Sequence, residues 1–493
     1  RILLLGDYSG RENLAQSVDS PLPEAKPIEV DRDNFDDLMK RLNVGLRLDL
    51  KGASGERINL QFRELDDFHP DRLFQQVSLF SELRDVRKRL LNPDSYDQAA
   101  REVREWLVIE AEDPPVQTDS AETDAQENSA DPAPSSGNLL DDILGQTKTD
   151  ASTNRLDSAR GSLLGDFVRD VVKPYLVETD EAEQAQLLSL IDSSTGDLMR
   201  TILHHPEFKA LEAAWRGLYF LIRRVETDSD LKISLLDISK EEVMSNLKTV
   251  EDLTDSHLYN VIIRDAVKTL GGEPWSLICG NYEFGLDVDQ AATMIRLSKL
   301  ANIAVAPFIA QIKPQMLGID SFSEGSDERL WNYKDETTAG KLWTMLRTIP
   351  EASSLGLALP GFLGRLPYGA STDPTEVFDF EELAGNGEHH DYLWINPSFL
   401  VAGLVGQSFS SFGWELRSRM FLDVDGLPTH VYKSDGETMT KPCAEVVFTH
   451  SACDIIIEQG LMPLISFRDS DRVRLGGFQS ISFPAKPLKG RWS

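Results

Sequence analysis

The residues of this 493-residue chain best suited to chemistry are His204-His205-Pro206-Glu207, His389-His390-Asp391, and Cys453 with His450 and Ser451 close before it. Two histidines and a carboxylate can hold a metal ion if their side chains converge, which on a helix needs spacings of three or four. Adjacent histidines on a helix point about 100° apart, and Pro206 interrupts any helix that reaches it. That run reads as a helix stop and restart, with Pro206 near the first turn of the second helix. His389-His390-Asp391 sits in AGNGEHHDY, a Gly-rich polar stretch, and reads as a loop turn. Cys453 beside a histidine suggests a nucleophile and its base. Activation, however, needs a base positioned in space and an oxyanion hole. Cys453 opens an apolar helical stretch and reads as a small packing residue.

Other candidates also resolve into structure. GGEPWS and LGGFQS have neither phosphate-loop nor dinucleotide-binding spacing and read as turns. Asp66-Asp67 and Asp141-Asp142 read as helix-start carboxylates, which the helix dipole favours, and Asp36-Asp37 as a solvated helix face. No constellation points to catalysis, a cofactor or a metal. A net charge of -31 argues against nucleic acid and anionic membrane surfaces as partners. Three cysteines, Cys279, Cys443 and Cys453, without a C-x-x-C pair, fit reduced thiols in a cytoplasmic protein. There is no apolar run of the roughly 20 residues a spanning helix needs and no visible signal peptide; the first residue is Arg1, so upstream residues are expected to be missing.

The elements that would position these residues fall into two units and a tether. Residues 1–110 read as α+β. RILLLGD is a buried strand, Asp33 or Asn34 caps a helix carrying Phe35, Leu38, Met39 and Leu42, GLRLDLK and INLQFREL alternate as half-buried strands, and Pro70 opens a helical stretch. Residues 111–137 are dominated by Pro, Ser, Ala, Asp and Glu, without Lys, Arg or an aromatic residue. They read as a flexible acidic linker. From about residue 155 three helical patterns lead to LKISLLDIS as a strand. WSLICGNYEF and NIAVAPFIA follow as strands around the helix DQAATMIRLSKLA, a pattern of parallel strands with a right-handed crossover. The larger unit is therefore expected to be α/β with an added antiparallel portion.

Several ordered stretches of residues 138–484 resemble the large subunit of the type VI secretion contractile sheath. They are LLDDILGQTKT, ILHHPEFKALEAAWRGLYFLI, WSLICGNYEF, APFIA, GLALPGFLGRLPYG, YLWINPSF, FGW, GLPTHVY, PCAEVVFT, GLMPLISFRDSD and GGFQSISFP. The residues that carry it best are His205, Pro206, Phe208, Leu211, Trp215, Arg216 and Leu218 in one block, and Pro360, Leu366, Pro367, Tyr368 and Gly369 in another. DNFDDLMKRLN and INLQFRELDDFHPDRLFQQVSLFSEL are similar to the small sheath subunit. The resemblance implies a fused protomer of phage-tail-sheath-like fold, 1–110 small-subunit-like and 138–493 large-subunit-like, and no enzyme activity. Its partners would be other sheath protomers, an inner tube, a baseplate and a hexameric AAA+ disassembly ATPase.

Asn138 can cap a short helix with Leu139, Leu140, Ile143 and Leu144 on one face, too short to persist alone in water. On its residues alone this reads as a staple against its own domain; the resemblance implies that the ATPase captures it. The resemblance also implies a sizeable C-terminal region after GGFQS, where only ISFPAKPLKGRWS follows. That leaves a second reading, a sheath-like accessory that caps, initiates or docks the tube without propagating it.

Overall fold

The computed structural model describes residues 1–14, 25–49, 57–108, 183–322, 327–331, 336–383, 388–434 and 436–492. The chain opens with β1 (Ile2–Gly6), β2 (Ile28–Val30), α1 (Phe35–Leu42), β3 (Gly45–Asp49), β4 (Arg57–Gln61), α2 (Pro70–Gln76), α3 (Ser78–Leu91) and α4 (Tyr96–Val108). It continues with α5 (Glu183–Leu203), α6 (Pro206–Arg224), β5 (Ile233–Asp237), α7 (Lys240–Thr249), a π-helical segment (Asn260–Lys268), β6 (Leu277–Phe284), α8 (Val288–Ala304) and β7 (Phe308–Ile312). Then come α9 (Thr338–Thr348), β8 (Leu355–Leu359), β9 (Phe362–Leu363), β10 (Trp394–Ile395), α10 (Pro397–Phe412), β11 (Asp423–Val424), β12 (Val431–Ser434), β13 (Glu437–Thr440), α11 (His450–Glu458), β14 (Met462–Ser466) and β15 (Val473–Leu475).

A nine-stranded sheet runs in the order β11-β15-β14-β8-β7-β6-β1-β5-β2. From β5 to β14 every neighbouring pair is parallel, while β2, β15 and β11 add antiparallel edges. The fold is α/β, as the sequence pattern indicates. Strands buried on both faces read as continuous apolar runs rather than alternating ones, and all five residues of β1, Ile-Leu-Leu-Leu-Gly, are buried. On one face Leu3, Leu5, Leu236 and Ile278 share a core with α7, the π-helical segment, α8, α9 and α11. On the other, α6 packs on α10, which lies across β6, β7 and β8.

The compact units do not follow the boundaries expected at 110 and 138. One contains the described parts of 1–50, 57–81 and 196–493; the other contains those of 82–195. The reason lies in the hydrogen-bond ladder. Ile2 pairs with both Ile233 and Leu277, and the register continues along both edges through Leu5, opposite Leu236 and Gly280. An interior parallel strand cannot keep its ladder inside a separate N-terminal unit. The smaller unit is helical: Leu83, Val86, Leu90, Ala99, Val103, Leu187 and Ile191 are buried. Arg87 forks onto Asp192 at 2.6 and 3.2 Å, and Gln184 Nε2 donates to Leu90 O at 2.7 Å.

Local expectations meet the structure unevenly. The helix stop and restart lies where Pro206 put it, with α5 ending at Leu203 and α6 starting at Pro206. NIAVAPFIA divides differently, because α8 continues through Ala304 and β7 begins only at Phe308. Val305, at φ +53°, ends that helix by donating back to it. Asn34 occupies the cap position of α1 but gives no cap bond, since its Oδ1 accepts from Asp31 N instead. The expected linker at 111–137 and the helix at Leu139–Leu144 lie outside the described residues. No helix among the described residues is long and apolar enough to cross a membrane.

If β1 belongs to the large core, Leu4→Ala lowers the stability of the whole chain by about 2–5 kcal/mol. Asp36→Ala on the exposed face of α1 changes it by less than about 0.5 kcal/mol. Urea unfolding followed by tryptophan fluorescence compares the two.

Candidate functional site

Helix α6 carries one of the two motif blocks, and its first turn explains the histidine. His205 is extended (φ -62°, ψ 129°), and its Nδ1 accepts from Glu207 N at 3.3 Å, so it caps the helix, with Pro206 at the first helical position. Phe208, fully buried, meets Phe62 and Phe68 edge-on at 5.9 and 5.6 Å. Trp215 is fully buried, with Nε1 donating to Tyr8 O at 2.8 Å and its ring edge-on to Tyr8 and Phe35. Leu211 and Leu218 are buried on the same helix. At its far end Arg32 Nε and Nη2 donate to the carbonyls of Ile222 and Arg223 at 2.9 and 2.8 Å. The block is thus the surface on which the N-terminal segment is seated.

The second block meets α6 through buried charges. Arg365 donates to Glu212 at 2.7 Å and to Glu382 at 2.6 Å, and its guanidinium lies 4.1 Å over the ring of Tyr368. Arg216 Nε donates to Glu212 at 2.7 Å, and its Nη2 to Tyr368 Oη at 3.0 Å. Glu382 also accepts from Tyr368 N at 2.7 Å. The result is an alternating row, Arg216–Glu212–Arg365–Glu382, in which Glu212 and Glu382 are almost fully buried. Burial pushes Glu212 up, but Arg365 and Arg216 outweigh it and hold the carboxyl below its usual range. Burial raises Tyr368 to about 12 against the pull of both arginines. A side chain at Gly369 would put its Cβ 2.1 Å from Glu381 Oε2. Pro360 and Pro367 are buried, and Leu366, half-buried, gives its carbonyl to Arg365 at 3.1 Å.

The structure therefore brings Arg216 and Tyr368 into one joint and lines up Phe208, Leu211, Trp215 and Leu218 beside it. Sequence reading missed Glu212, Arg365 and Glu382. Glu212 and Arg216 stand four apart on a helix, a visible signal, whereas Arg365 and Glu382 meet only through the tertiary fold. The chemical candidates scatter. His204 Nδ1 lies 3.4 Å from Asp391 and its Nε2 3.8 Å from Glu382, with burial holding its pKa below the usual value. His205 caps a helix, His389-His390-Asp391 form a single turn, and Cys453 is buried on α11. Among the described residues no three His, Cys, Asp or Glu side chains are grouped to hold a metal.

Residues 185–482 match the VipB family, described as EvpB/VC_A0108, tail sheath N-terminal domain. The chain belongs to this tail sheath family. Residues 1–113 match a second family, Type VI secretion system, VipA, VC_A0107 or Hcp2. One polypeptide thus carries a VipA-like and a VipB-like part of a sheath protein. It is 31% identical over 318 residues to the type VI secretion system sheath protein TssC1 of Pseudomonas aeruginosa, covering 63% of this chain and 64% of that protein. The sequence-level division at 113 and 185 differs from the compact units because the VipA-like part lends β1 to the VipB-like sheet.

Two measurements test the joint. Arg365→Met leaves Glu382 buried without its cation and Glu212 with Arg216 alone, and costs about 3–5 kcal/mol. Replacing Arg216, Glu212, Arg365 and Glu382 together by Met recovers most of that loss in urea unfolding. A pH dependence comes from Glu445, whose Oε2 accepts from Gly361 N at 2.9 Å. Burial pushes its carboxyl from 4.5 to about 7, against the Gly361 bond. Folding then takes up a proton between these values, so this contribution to stability falls as pH rises through that window and is flat above it. Glu445→Gln makes the melting temperature less dependent on pH between 5 and 7.5 and higher than wild type at pH 8.

Proposed function

We propose that this chain is a structural building block of a type VI secretion contractile sheath, a fused protomer that assembles around an inner tube. The observation that supports this best is β1, through which the VipA-like part completes the sheet of the VipB-like part, so that one chain supplies both halves of a protomer. The partners on this reading are other sheath protomers, the inner tube protein and the baseplate. The role is structural rather than enzymatic: the buried charges hold two segments of backbone together. A cytoplasmic site of assembly fits the three buried thiols. Electron microscopy of the purified full-length chain tests the reading: tubes or helical ribbons at high concentration are expected, and discrete particles alone contradict it.

The site proposed for the AAA+ disassembly ATPase is the stretch carrying Leu139, Leu140, Ile143 and Leu144. Its amphipathic pattern suits a helix laid into a groove. Leu140→Asp with Ile143→Asp is expected to abolish capture by the ATPase in a pull-down while leaving the melting temperature unchanged; undiminished capture overturns the assignment.

A further inference from the structure

The two ends of the parallel sheet differ in charge. Outside the carboxyl ends of β1, β6 and β7 lies a crevice of about 420 Å³, lined by Asp7, Glu12, Glu207 and Glu283 together with Lys240 and Lys313. Open α/β sheets form such crevices where the strand order reverses, here between β1 and β6. Lys240 Nζ is already held by Glu283 O at 2.6 Å and Gln290 Oε1 at 2.7 Å. Glu12, Glu207 and Glu241 are exposed. Partial desolvation at the crevice wall, a hydrogen bond to Glu241 and repulsion from Glu241, Asp7 and Glu207 push the Glu12 carboxyl up to about 8. Asp7, Glu207 and Glu241 thus crowd Glu12 with like charge at this end of the sheet.

The amino ends of β6, β7 and β8 carry the opposite charge. Arg491 donates Nε to Trp275 O at 2.9 Å and Nη2 to Ala304 O at 3.2 Å, just ahead of β6 and β7. Lys489 N donates to Ser353 O at 2.7 Å, ahead of β8, and its Nζ to Asn302 Oδ1 at 3.0 Å. Arg1 lies 4.0 Å over the Trp275 ring. Lys299, Lys486 and Lys489 are exposed. From Val473 to Trp492 the chain has Arg474, Lys486, Lys489 and Arg491 and no acidic residue. The acids beside this end include Glu351, Asp230, which lines a pocket with Arg1 and Trp492, and Glu273, which is held by Lys232 at 3.1 Å and lies near Arg1 at 3.5 Å.

We propose that copies of this chain dock head to tail, the acidic crevice of one receiving the Lys486–Arg491 strip of the next. This rests on the sheath reading above. A heterologous contact repeats without closing into a ring when its rotation allows, as a helical tube requires. Opposite charges on its two sides set the register and suppress head-to-head encounters.

Charge reversal on the full-length chain tests the pairing. One variant is Glu12→Lys with Glu241→Lys; the other is Lys486→Glu with Lys489→Glu. Sedimentation velocity is expected to show wild type assembling, and each variant alone assembling at least about tenfold more weakly. Their equimolar mixture assembles again, because the reversed crevice of one matches the reversed strip of the other. Wild-type assembly by either variant alone overturns the docking geometry, as does a mixture that stays unassembled although both variants melt within a few degrees of wild type. Assembly indifferent to these reversals leaves the sheath reading standing, whereas a wild-type chain that assembles at no concentration removes both.

Discussion

β1 is hydrogen-bonded along both edges by strands that begin at Ile233 and Leu277, and the rest of the structure depends on that insertion. Once the strand is in place, the turn after it is fixed by Asp237, which accepts from Tyr8 N at 2.8 Å, Ser9 N at 3.1 Å and Ser9 Oγ at 2.7 Å. Arg11 then reaches Glu242 at 3.0 Å, and Tyr8 offers its carbonyl to Trp215. Without β1 the sheet would open between β5 and β6, leaving two rows of backbone groups unpaired, each costly when buried. The parallel geometry makes this contact non-local, so its loop-closure cost comes before its reward. A covalent connection between the VipA-like and VipB-like parts makes the insertion intramolecular and raises the effective concentration at which it occurs.

The ionic joint adds specificity to that packing. Apolar side chains of similar volume could fill the space around Arg365 with comparable stability. Charges instead fix the angle at which the loop carrying Tyr368 and Glu382 meets α6, because a guanidinium fork donates to carboxylates in its own plane. The same segment is tied to the VipA-like part by Asp71, which accepts from Glu376 N and Val377 N at 3.0 and 3.1 Å, and by His69, whose ring stands edge-on to Tyr368 at 4.9 Å. The motif residues thus serve an interlock between two sequence families.

Much of this was legible in the sequence, for identifiable reasons. The continuous apolar run of β1 and the helical period of α6 are short-range signals, and both elements stand where the pattern placed them. The proline at 206 marked a helix boundary through its missing N–H. Partner choice was not legible. ILLLG declares a buried strand but not which strands flank it, so a separate N-terminal unit looked self-contained. Arg365 and Glu382 look like ordinary charged loop residues until the fold buries them against Glu212. The histidines drew attention as possible ligands, yet His205 uses its ring nitrogen as a helix cap, a role that residue type alone does not announce.

β1 is an interior strand of the large sheet. Hydrogen–deuterium exchange of the full-length chain, read by mass spectrometry over residues 2–6, tests it most directly. As interior amides they are expected to exchange as slowly as those of β5, β6 and β7, opening only with global unfolding. Fast exchange of β1, with β5 and β6 still protected, would contradict it.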